Sequence, residues 1–322
     1  MKNKVTFIMN PSELGAGTRG ASMGPGAIQS AAREKESTLF GEHEIRWIPE
    51  HNFLLDQENR FPHAKHIDGI VQIFDSLIEE IKNCQNRQEF PIVIAGDHSS
   101  GGGTLAGVCA ANPGKRVGVI WIDAHGDLHS PYTTPSGNVH GMPLATALAE
   151  DNIDYARNQP APETVQHWNA LKNAGGSSPK IEAQDLVFMG VRDTEKEENA
   201  IIDSKGIRNY TVAEVREKGI AQCLQEIEQK LSACDLIYIS FDVDSMDPEL
   251  TSHGTGTPVP NGFTPDEAKD IILGLLENPK TSCFELVEVN PCLDEKKNKM
   301  AETAFDIIQE IVQKLSDVSW NN

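Results

Sequence analysis

Three stretches of this chain end an apolar run in acidic and histidine residues. PIVIAGDHS (91–99) delivers Asp97 and His98, VGVIWIDAHGD (117–127) delivers Asp123, His125 and Asp127, and LIYISFDVDSMDP (236–248) delivers Asp242 and Asp244, with Asp247 beyond. In extended backbone, residues two apart share a side, so Asp123, His125 and Asp127 can face one pocket. Asp242 and Asp244 can join them from another strand end. Taken singly, an Asp-x-His is an ordinary loop or cap, and an Asp-x-Asp after a strand is an ordinary helix cap. Together the three make a stronger pattern. Carboxylates crowded into one pocket without compensation would be forced to protonate or to separate. Two divalent cations balance the charges of Asp123, Asp127, Asp242 and Asp244, and a carboxylate can bridge both ions. A carboxylate-dominated set with two imidazoles suits Mn2+ or a similar ion better than structural zinc. Paired metals activate a shared water against an electrophilic carbon, which selects metal-assisted hydrolysis as the reaction class.

Positioning these residues needs parallel strands that end on one side. Short β-branched runs predict strands at Val5–Met9, Glu44–Ile48, Pro91–Ala95, Val117–Ile122, Asp185–Met189, Leu236–Phe241 and Phe284–Val289, with a weaker one near Ile207–Tyr210. Most are continuously apolar, as strands buried on both faces of a parallel sheet should be. Between them, Ile67, Ile70, Val71, Phe74, Leu77, Ile78 and Ile81 recur at helical spacing. Thr264-Pro265-Asp266-Glu267 is a capping box with Pro at the first helical position, Thr211 with Glu214 is a second, and Phe305, Ile308, Ile311, Val312 and Leu315 mark a closing amphipathic helix. The alternation predicts an α/β fold: a three-layer α/β/α domain spanning 1–322, with a mostly parallel, roughly eight-stranded sheet. Residues 150–180, rich in Asn, Pro, Gly and Ser, break the rhythm and read as a surface excursion. The Gly-rich GDHSSGGGT (96–104) lacks the Lys of a phosphate loop and reads as tight strand-to-helix packing.

Composition narrows the function classes. The 322 residues carry 28 basic and 48 acidic side chains, a net charge of −20, which makes nucleic acid a poor partner. The uncharged stretch Ser99 to Gly114 is broken by glycines and a proline, so no membrane span is expected. The apolar core of MKNKVTFIM is too short for a secretory signal, and the six cysteines form no Cys-x-x-Cys pair. A cytoplasmic protein with buried free thiols is the expectation.

AGDHS (95–99), DAHGD (123–127), SGNVHGMPL (136–144), SFDVDSMDP (240–248), GTGTPV (254–259) and EVNP (288–291) resemble the arginase branch of the ureohydrolase family. The resemblance runs from GASMGPGAI at Gly20 to the C-terminal helix. It implies two manganese ions per subunit, one held by His98, Asp123, Asp127 and Asp242, the other by His125, Asp123, Asp242 and Asp244. Asp97 and Asp247 match no ligand position and are expected to brace or cap. His140 is implied as the acid/base group and Glu288 as the partner of a guanidinium. Recognition of the substrate's amino-acid end is implied for Thr134, Ser136, Asn138, Glu198 and Thr257. His129 stands where arginases generally carry Asn and Glu195 where they carry Asp, and one extra residue separates Asp244 from Thr257. The implied reaction is hydrolysis of L-arginine, a small cationic guanidino substrate, to L-ornithine and urea. The alternatives are another guanidino compound such as agmatine or a guanidino acid, and a non-catalytic homologue, which the filled ligand positions disfavour. A homo-oligomer, trimer or hexamer, is also implied.

Overall fold

The computed structural model describes residues 4–317. Among them, β1 (Lys4–Asn10), β2 (Glu44–Trp47), β3 (Glu89–Ala95), β4 (Val117–Ile122), β5 (Leu186–Met189), β6 (Arg208–Tyr210), β7 (Leu236–Asp242) and β8 (Thr281–Val287) form one sheet. Its order is β2-β1-β3-β8-β7-β4-β5-β6, and every pairing is parallel. The helices are α1 (Gly24–Glu34), α2 (Leu39–Glu42), α3 (Ile67–Asn86), α4 (Ser100–Ala111), α5 (Pro143–Leu148), α6 (Pro162–Asn173), α7 (Lys196–Lys205), α8 (Val212–Lys218), α9 (Ile220–Lys230), α10 (Pro265–Leu275) and α11 (Lys299–Asp317). None is long and apolar enough to cross a membrane.

Parallel neighbours need crossovers, and these put helices on both faces of the sheet. Alternate strand residues then face different helices. Phe7, Met9, Ile120 and Ile122 pack with Ile28 of α1, Ile227 of α9, Ile271 of α10 and Ile308 of α11. Ile8, Val119 and Trp121 pack with Ile73 of α3, Leu105 of α4, Leu144 of α5 and Ile201 of α7. The three-layer expectation holds. The last strand is displaced from its predicted span: it begins at Thr281 and ends at Val287, because Glu288 has φ 69° and left-handed backbone cannot continue a strand.

Local signals account for several boundaries. Thr264 and Glu267 close their box reciprocally, each side chain accepting the other's backbone N–H. Thr211 caps α8, whereas Glu214 pairs with Arg208 instead of completing a box. The Gly-rich stretch is a packing device, as expected. A Cβ on Gly101 would lie 2.7 Å from the Trp121 ring, and one on Gly102 would lie 2.6 Å from Phe74.

Residues 150–180 are more than a surface excursion. They contain α6, which buries Thr164, Trp168 and Leu171 and joins Phe61, Ile67, Phe74 and Val139 in a third apolar cluster. Trp168 and Lys172 both donate to Asp151 Oδ1 at 2.6 Å. Lys180 Nζ donates to the carbonyls of Leu171 and Lys172 at 3.0 and 2.7 Å, closing the end of α6. The Asn, Pro and Gly content around α6 hides a helix whose start is marked only by Pro162.

Candidate metal centre

The site lies past the carboxyl ends of β3, β8, β7 and β4, four adjacent strands in the middle of the sheet. His98 follows β3 and opens towards α4; Asp123, His125 and Asp127 follow β4. Asp242 ends β7, with Asp244 two residues on, and Glu288 follows β8. The topology alone therefore brings together residues almost two hundred positions apart.

His98 Nδ1 stands 3.0 Å from Asp123 Oδ2, 3.1 Å from Asp127 Oδ2 and 3.2 Å from Asp242 Oδ2. His125 Nδ1 stands 3.0 Å from Asp244 Oδ2 and 3.5 Å from Asp123 Oδ1. Two groups with metal-ligand spacing result: His98, Asp123 and Asp127, and Asp123, His125 and Asp244, with Asp123 common to both. His98 Nδ1, Asp123 Oδ2 and Asp127 Oδ2 are buried and make no hydrogen bond. Such atoms are costly unless something else satisfies them. Donors about 3 Å apart are what bonds of roughly 2.1 Å at right angles to a common cation would give. The donor set, carboxylates with two imidazoles, fits a divalent ion of the manganese kind.

Electrostatics agree. Burial, followed by the charge of Asp123, pushes the Asp127 carboxyl up to about 7. Burial, then Asp244 and Asp123, raises Asp242 well above the carboxylate range, and burial raises Asp244. Burial also opposes ionisation of Asp123, but the neighbouring imidazoles of His125 and His98 outweigh it and hold that carboxyl low. The protein alone cannot keep all four carboxylates charged; cations can.

The surroundings fix these groups. His98 stacks on Trp121 with ring centroids 4.1 Å apart and planes 6° from parallel, and its Nε2 lies 2.8 Å from Ser240 Oγ. Arg192 spreads its guanidinium over the carbonyls of Gly190, Asp244, Ser245, Val259 and Pro260, joining the loop after β7 to the loop after β5. Asp97 accepts from the N–H groups of Gly15 and Ser99, and Asp247 from those of Glu249 and Asn261, the bracing expected of both.

A cavity of about 300 Å³ opens over the cluster. His129, Thr134, Ser136, Asn138, His140, Glu195, Glu198 and Thr257 line it beside the metal-facing residues, so the structure gathers every recognition residue expected from the sequence there or at its floor. Glu288 is buried beneath it, accepting the N–H of His98 at 2.9 Å and lying 3.4 Å from His140 Nδ1. Burial opposes charge on His140, but Glu288 outweighs it and raises the imidazole above its ordinary range. Thr257 Oγ1 donates to Asp244 Oδ2 at 3.2 Å. His129 Nε2 is 3.7 Å from Glu198 Oε2 and 4.0 Å from Glu195 Oε2.

Sequence reasoning missed Ser240, Trp121, Arg192 and Asp193, the last 3.8 Å from His125 Nε2. Ser240 and Trp121 lie inside the strand-end stretches and Arg192 and Asp193 just before Glu195, so proximity in sequence was the available signal. It also missed Lys65, which donates to Asn138 Oδ1 at 2.9 Å from a distant segment and carries no local mark.

The model of the arginase family matches residues 3–313. An arginase from Bacillus caldovelox is 35% identical over 307 residues, covering 94% of this chain and 96% of that protein. An arginase from Bacillus subtilis is 33% identical over 316 residues, covering 98% and 99%. The native crystal structure of the Bacillus caldovelox arginase superposes with a TM-score of 0.80 at 33% identity, covering 97% of this chain and 98% of that one.

Proposed function

The chain belongs to the arginase family, and from that premise we propose that two manganese ions occupy the cluster beneath the cavity. The hydrolysis is that of L-arginine to L-ornithine and urea, at a C–N bond of the guanidinium group. The observation that carries the metal assignment is the set of three buried, unsatisfied atoms on His98, Asp123 and Asp127. One ion is assigned to His98, Asp123, Asp127 and Asp242, and the other to His125, Asp123, Asp242 and Asp244. Because the sheet order interleaves early and late strands, residues 1–322 are read as one domain. A cytoplasmic homo-oligomer, trimer or hexamer, belongs to the same reading and is supported by family membership.

When bound, the ions supply Lewis acidity and lower the pKa of water towards neutrality. The chain's own residues do the rest. Glu288, buried and held by the His98 peptide, presents a carboxylate to the planar guanidinium, a match of fork to fork. As the water oxygen bonds to the guanidinium carbon and the bond to the departing nitrogen breaks, that nitrogen needs a proton. The Glu288 carboxylate favours the protonated form of His140, which lines the same cavity, so its imidazolium is placed to give one. At the far end, Thr134, Ser136, Asn138 and His129 offer donors to a carboxylate, and Glu195 and Glu198 offer acceptors to an ammonium.

His129 and Glu195 favour testing a second reading, hydrolysis of another guanidino compound. Urea release by the Mn2+-loaded protein should show the higher kcat/KM for L-arginine than for agmatine, which leaves the carboxylate donors unpaired. A higher kcat/KM for agmatine or a guanidino acid replaces arginase with that activity. Two bound ions without urea release from any of them would mark a non-catalytic homologue.

A further inference from the structure

Residues 151–158 fasten both loops that face the far end of the cavity. On one side, Ser130 Oγ donates to the carbonyl of Asp151 at 2.6 Å, and the N–H groups of Arg157 and Asn158 donate to the Tyr132 carbonyl at 2.9 Å. Asn158 Nδ2 donates to the Thr134 carbonyl at 2.7 Å. On the other side, Asn152 Nδ2 donates to the Glu197 carbonyl at 2.7 Å. Arg157 Nη2 reaches Glu195 Oε2 and Glu197 Oε1, both at 2.7 Å. Glu197 is buried, so the guanidinium is held from below while it holds Glu195 at the cavity wall.

Glu195 has a long, rotatable side chain that loses rotamer freedom when it must take one pose. A charged contact from a guanidinium nitrogen that the buried Glu197 already holds restricts that freedom before substrate arrives. We propose that Arg157 is a specificity-determining positioning residue, which fixes Glu195 as the acceptor for the substrate's α-ammonium group. The inference rests on the arginase reading above, and it gives the 150–180 segment a role in substrate choice. The α-ammonium lies at the opposite end of L-arginine from the scissile bond, so a looser contact there weakens ground and transition state alike and is read in KM.

The experiment compares the Mn2+-loaded full chain with Arg157→Ala, using L-arginine and its analogue without the α-amino group, 5-guanidinopentanoate. For L-arginine, KM should rise about tenfold with kcat within about twofold; for the analogue, both constants should stay within about twofold. In a Glu195→Gln background, Arg157→Ala should add less than about twofold to the KM. Equal changes for the two substrates, an unchanged KM for L-arginine, or full additivity with Glu195→Gln overturns the inference while leaving the arginase reading intact. Absence of urea from the wild-type chain on L-arginine overturns that reading and this inference with it. If Arg157→Ala does not melt cooperatively, Arg157→Gln, which removes the charge and keeps part of the side chain, must show the same KM-against-kcat split.

Discussion

Glu288 and His98 are tied through the main chain: the Glu288 carboxylate accepts the backbone N–H of His98, whose imidazole faces the acidic cluster. The proposed guanidinium partner is thereby fixed to the peptide that carries a proposed metal ligand. Glu288 also sits in left-handed backbone with φ 69°, and Asp127 does the same at φ 52°. Each such residue costs about 1–3 kcal/mol and persists because its surroundings over-determine it.

Glu288→Gln should retain both metals and the fold, since an amide oxygen can still accept the His98 N–H. It should lower kcat/KM for L-arginine by roughly 10²-fold or more, because a charged partner of the guanidinium is gone. His140→Ala should likewise keep both metals and lose about 10²–10⁴-fold in turnover. Elemental analysis beside steady-state urea release separates these losses from loss of metal; unchanged turnover in either variant removes that residue from the proposed chemistry.

Asp127→Ala should lower the manganese content and abolish hydrolysis, because one ion loses a ligand and the His98 group loses a member. Two tightly held ions in an active Asp127→Ala protein would sink the proposed coordination. Ser240→Ala is the milder companion. Removing the hydroxyl that orients His98 should weaken metal affinity about 10–100-fold without touching any ligand, measured by competition with a chelator.

Far from the site, Glu89 links β3 to the start of β1. Burial by itself would push its carboxyl up, but hydrogen bonds from Arg87, Lys4 and Thr6 outweigh burial and hold it at about 2. A carboxyl depressed in the folded state stabilises above its unfolded value, 4.5, and that contribution fades as pH falls towards 2. With Lys4 and Arg87 largely exposed, the contribution is about 1–3 kcal/mol. Urea midpoints from pH 6 to 2.5 should show Glu89→Gln less stable at the upper end and converging on wild type at the lower. Parallel curves would contradict it.

Gly101→Ala should destabilise by about 1–3 kcal/mol, since a methyl would meet the Trp121 ring 2.7 Å away and push α4 off the sheet. Because that ring also stacks on His98, the same variant should bind manganese more weakly. Denaturant midpoints with and without metal test both: a variant as stable as wild type in each state would show that the ring yields freely.

The sequence was legible where one physical signal dominated. Val117–Ile122 is a strand with the bounds its apolar run predicts, and the Thr264 box starts α10 where its chemistry says it must. The clustering of His98, Asp123, His125, Asp127, Asp242 and Asp244 could be read because charge of that density in alternating spacing has few explanations. Boundaries set by backbone strain were not legible: the left-handed Glu288 ends β8 two residues before its apolar pattern does. Contacts between distant segments were equally hidden. Nothing near Arg157 announces Glu195, and α6 buries Trp168 from within a stretch whose composition reads as loop.

The place of β8 in the sheet has a consequence for how the molecule is made. This strand lies between β3 and β7 yet emerges from the ribosome after all the others. Until Thr281–Val287 is available, β2-β1-β3 and β7-β4-β5-β6 are two fragments, each with an unpaired inner edge that can template association with other chains. His98 and Asp242 stand on opposite sides of that gap. Assembly of the proposed metal cluster therefore waits for β8, and a nascent chain stalled before β8 carries an aggregation hazard on the inner edges of β3 and β7.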